Sequence, residues 1–194
     1  MSIIDNSIKI PAQLIDIAEG TFTGRHLIES SKTIGQLTNM FLDEEARKQM
    51  DQSQLVYRVQ AHFPVAEGTL GGLFFGTTWI QPGTVGGEYF MTHGHFHLLA
   101  DRGEYYWGLK GNGVLILMDE QRNGSAEYMY PGSLHYIPAY TAHRVANIGA
   151  DELSFGACWP SDAGHNYDEI KRHGFSKRLF NYDGVPTLED IRIA

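Results

Sequence analysis

Thr92-His93-Gly94-His95-Phe96-His97 sets three histidines within six residues, and Glu104 and, much later, His143 follow it. On a strand, side chains at i and i+2 share one face about 7 Å apart, so His95 and His97 can converge on a single ion; on a helix they diverge by roughly 200°. Phe96 then points the other way, into apolar packing. Asp101 and Gly103 mark a turn, so Glu104 opens the next strand and aims back at the pair. His143, in the separate segment Pro138–Asn147, closes the site from a distant strand. Imidazole nitrogens with one carboxylate oxygen and no thiolate suit a divalent transition metal, Fe, Mn, Zn, Ni or Co, without singling one out. His93 and His135 read more plainly, as buried histidines satisfied by hydrogen bonds.

The 194 residues are of single-domain length, enough to bury a core without disulfides. Fifteen basic against 23 acidic residues leave a net charge of −8, which argues against nucleic acid or an anionic membrane as partner. Cys158 is the only cysteine, so an internal disulfide and a thiolate cluster are excluded. Its neighbours Phe155, Ala157 and Trp159 predict a buried, inert thiol. The N-terminus lacks a basic stretch ahead of an apolar run, and no segment approaches the roughly 20 apolar residues of a membrane span, so a soluble, cytosolic protein is expected.

Residues 1–50 read as an extension packed on a core, with one helix over Asp43–Gln52, where Glu44, Glu45, Arg47 and Lys48 favour helix. Residues 51–160 read as a β-barrel of short strands. These are predicted at Val56–His62, Gly72–Ile80, Glu88–Leu98, Glu104–Lys110, Val114–Asp119, Ala126–Tyr130, Leu134–Ile137, His143–Asn147 and Leu153–Trp159. Gly111-Asn112-Gly113 and Arg122-Asn123-Gly124 supply tight turns, because Gly and Asn tolerate positive φ. Residues 161–194 belong to the same domain. Their locally basic run, with Lys171, Arg172, Lys177 and Arg178, predicts a surface helix or a cover over the barrel mouth.

The strand-borne His-x-His, the following Glu104 and Gly111, and Gly132 ahead of Pro138, His143 and Asn147 resemble the two motifs of the cupin superfamily. That resemblance implies an all-β jelly-roll barrel with a metal inside and a few peripheral helices. The gap from His97 to Glu104 is longer than in the generic pattern, and Tyr140 stands where cupins commonly have Gly. Both departures are shared by one subfamily. The longer pattern Thr77-Thr78-Trp79-Ile80-Gln81-Pro82-Gly83, Glu88 to His97, Glu104-Tyr105-Tyr106 and Pro138 to Arg144 resembles the cupin-type phosphoglucose isomerases, over about Tyr57 to Tyr167.

That family interconverts glucose 6-phosphate and fructose 6-phosphate in glycolysis and gluconeogenesis, and is metal-dependent, homodimeric and cytosolic. By resemblance, His95, His97, Glu104 and His143 would hold one metal ion per subunit, Fe or Mn before Zn, Ni or Co. Glu104, Tyr106 and His143 would be catalytic. Thr78, Thr92, Gly94, Tyr140, His165 and Tyr167 would surround the sugar phosphate, where threonine hydroxyls and a glycine amide donate to phosphate oxygens without adding charge. Taken singly, each of these also has an ordinary role, a threonine as a strand former and a tyrosine as packing near a turn.

Two hydrogen-transfer routes fit: a base that takes the C2 proton to give an enediol, or a direct hydride shift between C2 and C1. Rival readings are a cupin dioxygenase, which uses the same donor set with an oilier pocket, and a non-catalytic sugar-binding cupin. Mannose 6-phosphate as substrate also stays open.

Overall fold

Short runs of β-branched and aromatic residues, punctuated by Gly, Pro and Asn, fold as strands throughout the computed structural model, which describes residues 11–191. The N-terminal part contributes β1 (Leu14–Ile15), β2 (Phe22–Thr23), β3 (Leu27–Thr33) and helix α1 (Glu44–Gln49). Then come β4 (Leu55–His62), β5 (Leu73–Ile80), β6 (Thr84–Val85) and β7 (Glu88–Tyr89). After the histidine-rich segment follow β8 (Glu104–Lys110), β9 (Gly113–Asp119), β10 (Gly124–Met129), β11 (Leu134–Ile137), β12 (Thr141–Asn147) and β13 (Leu153–Pro160). The chain ends in α2 (Asp168–His173), β14 (Lys177–Tyr182) and β15 (Val185–Asp190).

Six strands in the order β11-β8-β13-β5-β4-β3 form one wall, and β10-β9-β12 form the other; paired neighbours are antiparallel. A continuous core containing Val56, Ile80, Phe90, Met91, Leu115, Val145 and Phe155 fills the space between. This is the all-β jelly-roll barrel that the cupin motifs imply, with its helices at the periphery. Asn147 ties the walls together: its buried side-chain amide donates to the carbonyls of Ile80 and Asp151, each at 2.9 Å.

Several sequence expectations need correction. The strand expected over Glu88–Leu98 is broken, because Gly94 takes a left-handed φ of 74°. Only β7 and three isolated bridges remain of it, Met91 to Ala146, His95 to His143 and Phe96 to Asn166. The helix expected over Asp43–Gln52 is shorter, since Asp43 is its cap and accepts from the Ala46 amide at 2.8 Å. The N-terminal part is more than an extension: β3 is the edge strand of the six-stranded wall.

In the β9–β10 turn the left-handed residue is Arg122, at φ 65°, rather than Asn123 or Gly124. Its guanidinium offsets that strain by reaching Glu169 at 3.1 Å and the carbonyls of His173 and Gly174 at the C-terminal end of α2.

The C-terminal segment forms a short helix and then the β14–β15 hairpin, which the sequence reading missed. Leu115 to Met118 of β9 are buried without interruption, so both faces of that strand are covered. Phe175 and Leu179 share the core with them, and the Ser176 amide sits 3.2 Å from the Met118 sulfur. The hairpin joins β7 through the pair Phe180 and Glu88, while Phe175 and Ser176 reach the core and β9. Cys158 is partly buried, and burial raises its thiol pKa above 9.0. Among the described residues no helix is long and apolar enough to cross a membrane.

A buried charge cluster joins these pieces. Arg178 on β14 donates to both Glu88 carboxylate oxygens at 2.9 Å and to the Met40 carbonyl at 3.0 Å. The Leu42 amide also donates to Glu88 at 2.8 Å. Arg144 on β12, 2% exposed, lies 3.7 Å from the same carboxylate and over the Phe175 ring at 4.3 Å. Burial brings its guanidinium down to about 9, with Glu88 opposing. One carboxylate thus serves two buried cations from different strands. Glu88→Gln is expected to destabilise the fold by about 3–5 kcal/mol, read by chemical denaturation, because both guanidiniums lose their counter-charge while staying buried.

Candidate metal and substrate site

His95 and His143 are directly opposed, exchanging backbone hydrogen bonds of 3.3 and 3.1 Å, and their rings stand 4.5 Å apart. His97 follows two residues on, and Glu104 opens β8. One ligand atom from each of His95, His97, Glu104 and His143 lies within 4.8 Å of every other, so the cluster could hold a metal ion. Glu104 Oε1 is 2.5 Å from His143 Nε2 and 3.4 Å from His97 Nε2. Yet Glu104 Oε1 and His143 Nε2 are buried without a hydrogen-bond partner of acceptable geometry. Close atoms that face a common point rather than one another are what a shared cation requires.

The imidazoles are oriented from behind. His97 Nδ1 meets the Arg102 carbonyl at 2.8 Å and His143 Nδ1 meets the Thr141 carbonyl at 3.2 Å, so each N–H donates outward and leaves Nε2 bare toward the cluster. Arg102 is fixed in turn by Asp162 at 3.0 and 2.8 Å. These carbonyls are the acceptors that sequence reasoning left unnamed, since backbone groups leave no residue-type signature.

Charge follows the geometry. Burial and the neighbouring imidazoles of His143, His165 and His97 push His95 well below 6.5. Burial alone would raise Glu104; positive charge on His143 and His97 outweighs it and lowers the carboxyl to about 2, the effect that a cation shared by the same atoms would have. Burial, then the charge of Glu104, keeps the Tyr106 phenol well above 10, so it remains protonated beside the carboxylate.

The cluster sits at the base of a cavity of ≈ 270 Å³. Thr78, Thr92, Gly94, His165 and Tyr167 line it, together with Tyr106 and the cluster itself. The bridge at Phe96, with its amide donating to the Asn166 carbonyl at 3.2 Å and a return bond of 2.8 Å, brings the His165–Tyr167 segment alongside. The His165 ring is 4.3 Å from that of His95, and Tyr167 stacks on His93 at 4.7 Å. The Thr92 hydroxyl accepts from the Val145 amide at 3.1 Å, which leaves its own hydrogen free to donate into the cavity. A side chain at Gly94 would meet Phe175 at 2.6 Å and Arg144 at 2.9 Å, so the backbone amide there has room only as glycine.

Tyr140 is the exception among the carried-over residues. It is half exposed, does not line the cavity, and takes the left-handed φ of 62° that Gly commonly supplies at its position, with its amide bonded to the Ala100 carbonyl at 2.5 Å.

The sequence model described as glucose-6-phosphate isomerase (GPI) matches residues 31–189. The chain belongs to this family. It is 41% identical to the glucose-6-phosphate isomerase of Thermococcus kodakarensis over 179 residues, 91% of this chain and 92% of that protein. It is 38% identical to that of Pyrococcus furiosus over 178 residues, again 91% and 92% of the two chains. A putative glucose-6-phosphate isomerase 1 of Rhizobium meliloti shares 37% over 156 residues, 79% of this chain and 72% of that one. Among solved structures, oxalate decarboxylase from Bacillus subtilis overlays 57% of this chain and 26% of its own at 17% identity and a TM-score of 0.43.

Membership of the isomerase family separates the isomerase reading from the dioxygenase, which the four donors alone leave level with it, and from the binding protein, against which the complete donor set already argues. His135 has the ordinary role expected of it, between Glu127 at 2.6 Å and Ser133 at 2.9 Å. His93 differs: its ring lines the cavity, and burial, then Lys171, Lys32 and Arg144, lower it to about 4. Lys32, Tyr57 and Trp159 also line the cavity and were not singled out from sequence. The signal for Lys32 was the two-residue alternation Ile28, Ser30, Lys32, in a stretch read only as an extension.

A metal that binds only the folded cluster stabilises the fold, by about 2.7 kcal/mol at a hundred times its Kd. Manganese added to chelator-treated protein is therefore expected to raise the Tm, and the rise is expected to vanish in His143→Ala and Glu104→Ala, as read by thermal denaturation.

Proposed function

We propose that the protein interconverts glucose 6-phosphate and fructose 6-phosphate with one divalent ion, Fe or Mn, held by His95, His97, Glu104 and His143. The observation that carries this reading is the unpartnered, inward-facing Glu104 Oε1 and His143 Nε2 at the base of the threonine-lined cavity. The donor set also suits Zn, Ni or Co. When bound, the ion supplies a Lewis acid that stabilises negative charge developing on the sugar oxygens at C1 and C2.

Isomerisation moves one hydrogen between C2 and C1 and one proton between their oxygens. A Glu104 that ligates a cation would be held ionised by that charge and would be a weak base toward carbon. That weakness supports direct hydrogen transfer between the carbons. The enediol route would need a Glu104 freed from its neighbours on substrate binding. Tyr106, kept protonated beside Glu104, is placed to lend and recover the oxygen-bound proton, with the carboxylate stabilising its hydrogen bond. His143 orients Glu104 and completes the donor set. Thr78, Thr92, Gly94, His165 and Tyr167 bind and orient the sugar phosphate.

The epimer mannose 6-phosphate is distinguished only at C2, next to this group. A homodimer, a cytoplasmic setting and a role in glycolysis and gluconeogenesis complete the reading. For the dimer, the exposed side chains of Tyr105, Leu134 and Tyr136 on β8 and β11 offer an apolar face.

Purified protein is expected to convert fructose 6-phosphate to glucose 6-phosphate, to lose this activity on chelation and to regain it with Mn(II) or Fe(II). Inactivity with every metal would overturn the assignment. In D2O the product is expected to keep its carbon-bound hydrogen, as read by NMR, whereas deuterium at the transferred position would establish the enediol route. Tyr106→Phe is expected to lower kcat by about 10²- to 10⁴-fold with a smaller change in KM.

A further inference from the structure

The cavity has a charged feature at its far wall. β3 turns Ile28, Ser30 and Lys32 into it, and the register sets Lys32 opposite Tyr57, and Ser30 opposite Val59, which is in turn opposite Thr78. Tyr57, opposite Lys32, lines the same cavity as Thr92, His93 and Gly94. Among the described residues, Lys32 is the only lysine or arginine lining the cavity, and Glu104 the only carboxylate. Lys48 is committed to Glu45 at 2.6 Å and Lys177 to Asp190 at 2.5 Å, and Lys171 lies 5.9 Å from the Tyr167 ring without lining the cavity. Lys32 has no such partner among the described residues.

A phosphate monoester brings a charge of about −1.5 to −2 at pH 7. It enters a chain whose net charge is already −8. Threonine hydroxyls and a glycine amide contribute hydrogen bonds but no net charge. We infer that Lys32 is the phosphate-anchoring cation of this site, reaching from edge strand β3, beside Tyr57, into the cavity. This rests on the sugar-phosphate reading above and extends it to a residue outside the motifs that carried it. A lysine on an edge strand also discourages strand addition, a role that leaves substrate affinity untouched, so kinetics separate the two.

The test compares Lys32→Met, Lys32→Gln and Lys32→Arg with the unaltered protein, each checked for an unchanged Tm. Loss of one charge-assisted contact is expected to raise KM for fructose 6-phosphate about 10- to 100-fold in the Met and Gln variants. kcat is expected to change little, since the contact is the same in ground and transition states. Lys32→Arg is expected to recover most of the affinity. Calorimetry with inorganic phosphate on the as-purified proteins is expected to show the same ranking without turnover. Unchanged KM and unchanged phosphate affinity in Lys32→Met would overturn the assignment. Lys32-dependent phosphate binding by a protein that isomerises no sugar phosphate would uphold Lys32 and overturn the isomerase reading instead.

Discussion

The reciprocal backbone hydrogen bonds between His95 and His143 are the constraint on which the site depends. They join a segment with almost no strand pairing of its own to β12, and they set two of the four donors side by side. His97 and Glu104 then follow from chain geometry, one by the two-residue strand repeat and one by the turn at Asp101–Gly103. The same bridges, through Phe96 and Asn166, draw His165 and Tyr167 to the cavity. A left-handed glycine makes this possible, since a continuous strand through Gly94 would pair along its length and could not bend between the walls.

Packing three imidazoles and a carboxylate so tightly in an apolar interior is costly unless something answers their lone pairs. Hydrogen bonds answer the outward-facing nitrogens of His97 and His143, through the Arg102 and Thr141 carbonyls. Among the described residues no hydrogen bond answers Glu104 Oε1 or His143 Nε2, an arrangement that suits a cation better than a denser hydrogen-bond network. The Glu88, Arg144 and Arg178 cluster solves the opposite problem by the opposite means. There the surplus is positive, and the backbone carbonyls of Met40 and Lys177 each accept from one guanidinium, while the Nε of Arg144 and of Arg178 stay buried without a partner. Fold and site thus rest on separate buried charge arrangements, of which only one requires a group from outside the chain.

The barrel strands were legible because turn residues and β-branched runs are local signals; β4, β5, β8, β9, β11 and β13 fall within a few residues of their expected bounds. The clustering of His95 and His97 with Glu104 and His143 was legible because i, i+2 spacing on a strand and a turn before Glu104 convert directly into geometry. What escaped depends on contacts distant in sequence. The positive φ of Arg122 is held by α2, more than forty residues away, so no local preference announces it. Tyr140 keeps a conformation usual for Gly through a single bond to Ala100, and so leaves the cavity that the motif alignment assigned it. β14 and β15 pair with each other and with one residue of β7, and their sequence is too polar and short to stand out.

Charge placement explains why an acidic protein can take an anionic substrate. The negative surplus is spread over the whole chain, whereas the cavity wall carries one carboxylate and one free ammonium on different strands. Interactions between exposed charges fall away over about 8–10 Å at physiological salt, so distant acidic side chains weigh little against a cation in contact with the ligand. The carboxylate is itself among the donors that face a bound ion, which cancels its repulsion where the sugar carbons lie. With a cation held by His95, His97, Glu104 and His143, an anion entering this cavity would meet neutral hydrogen-bond donors and positive charge on two walls, which favours the phosphate near Lys32 of β3 and the reacting carbons near β8 and β12.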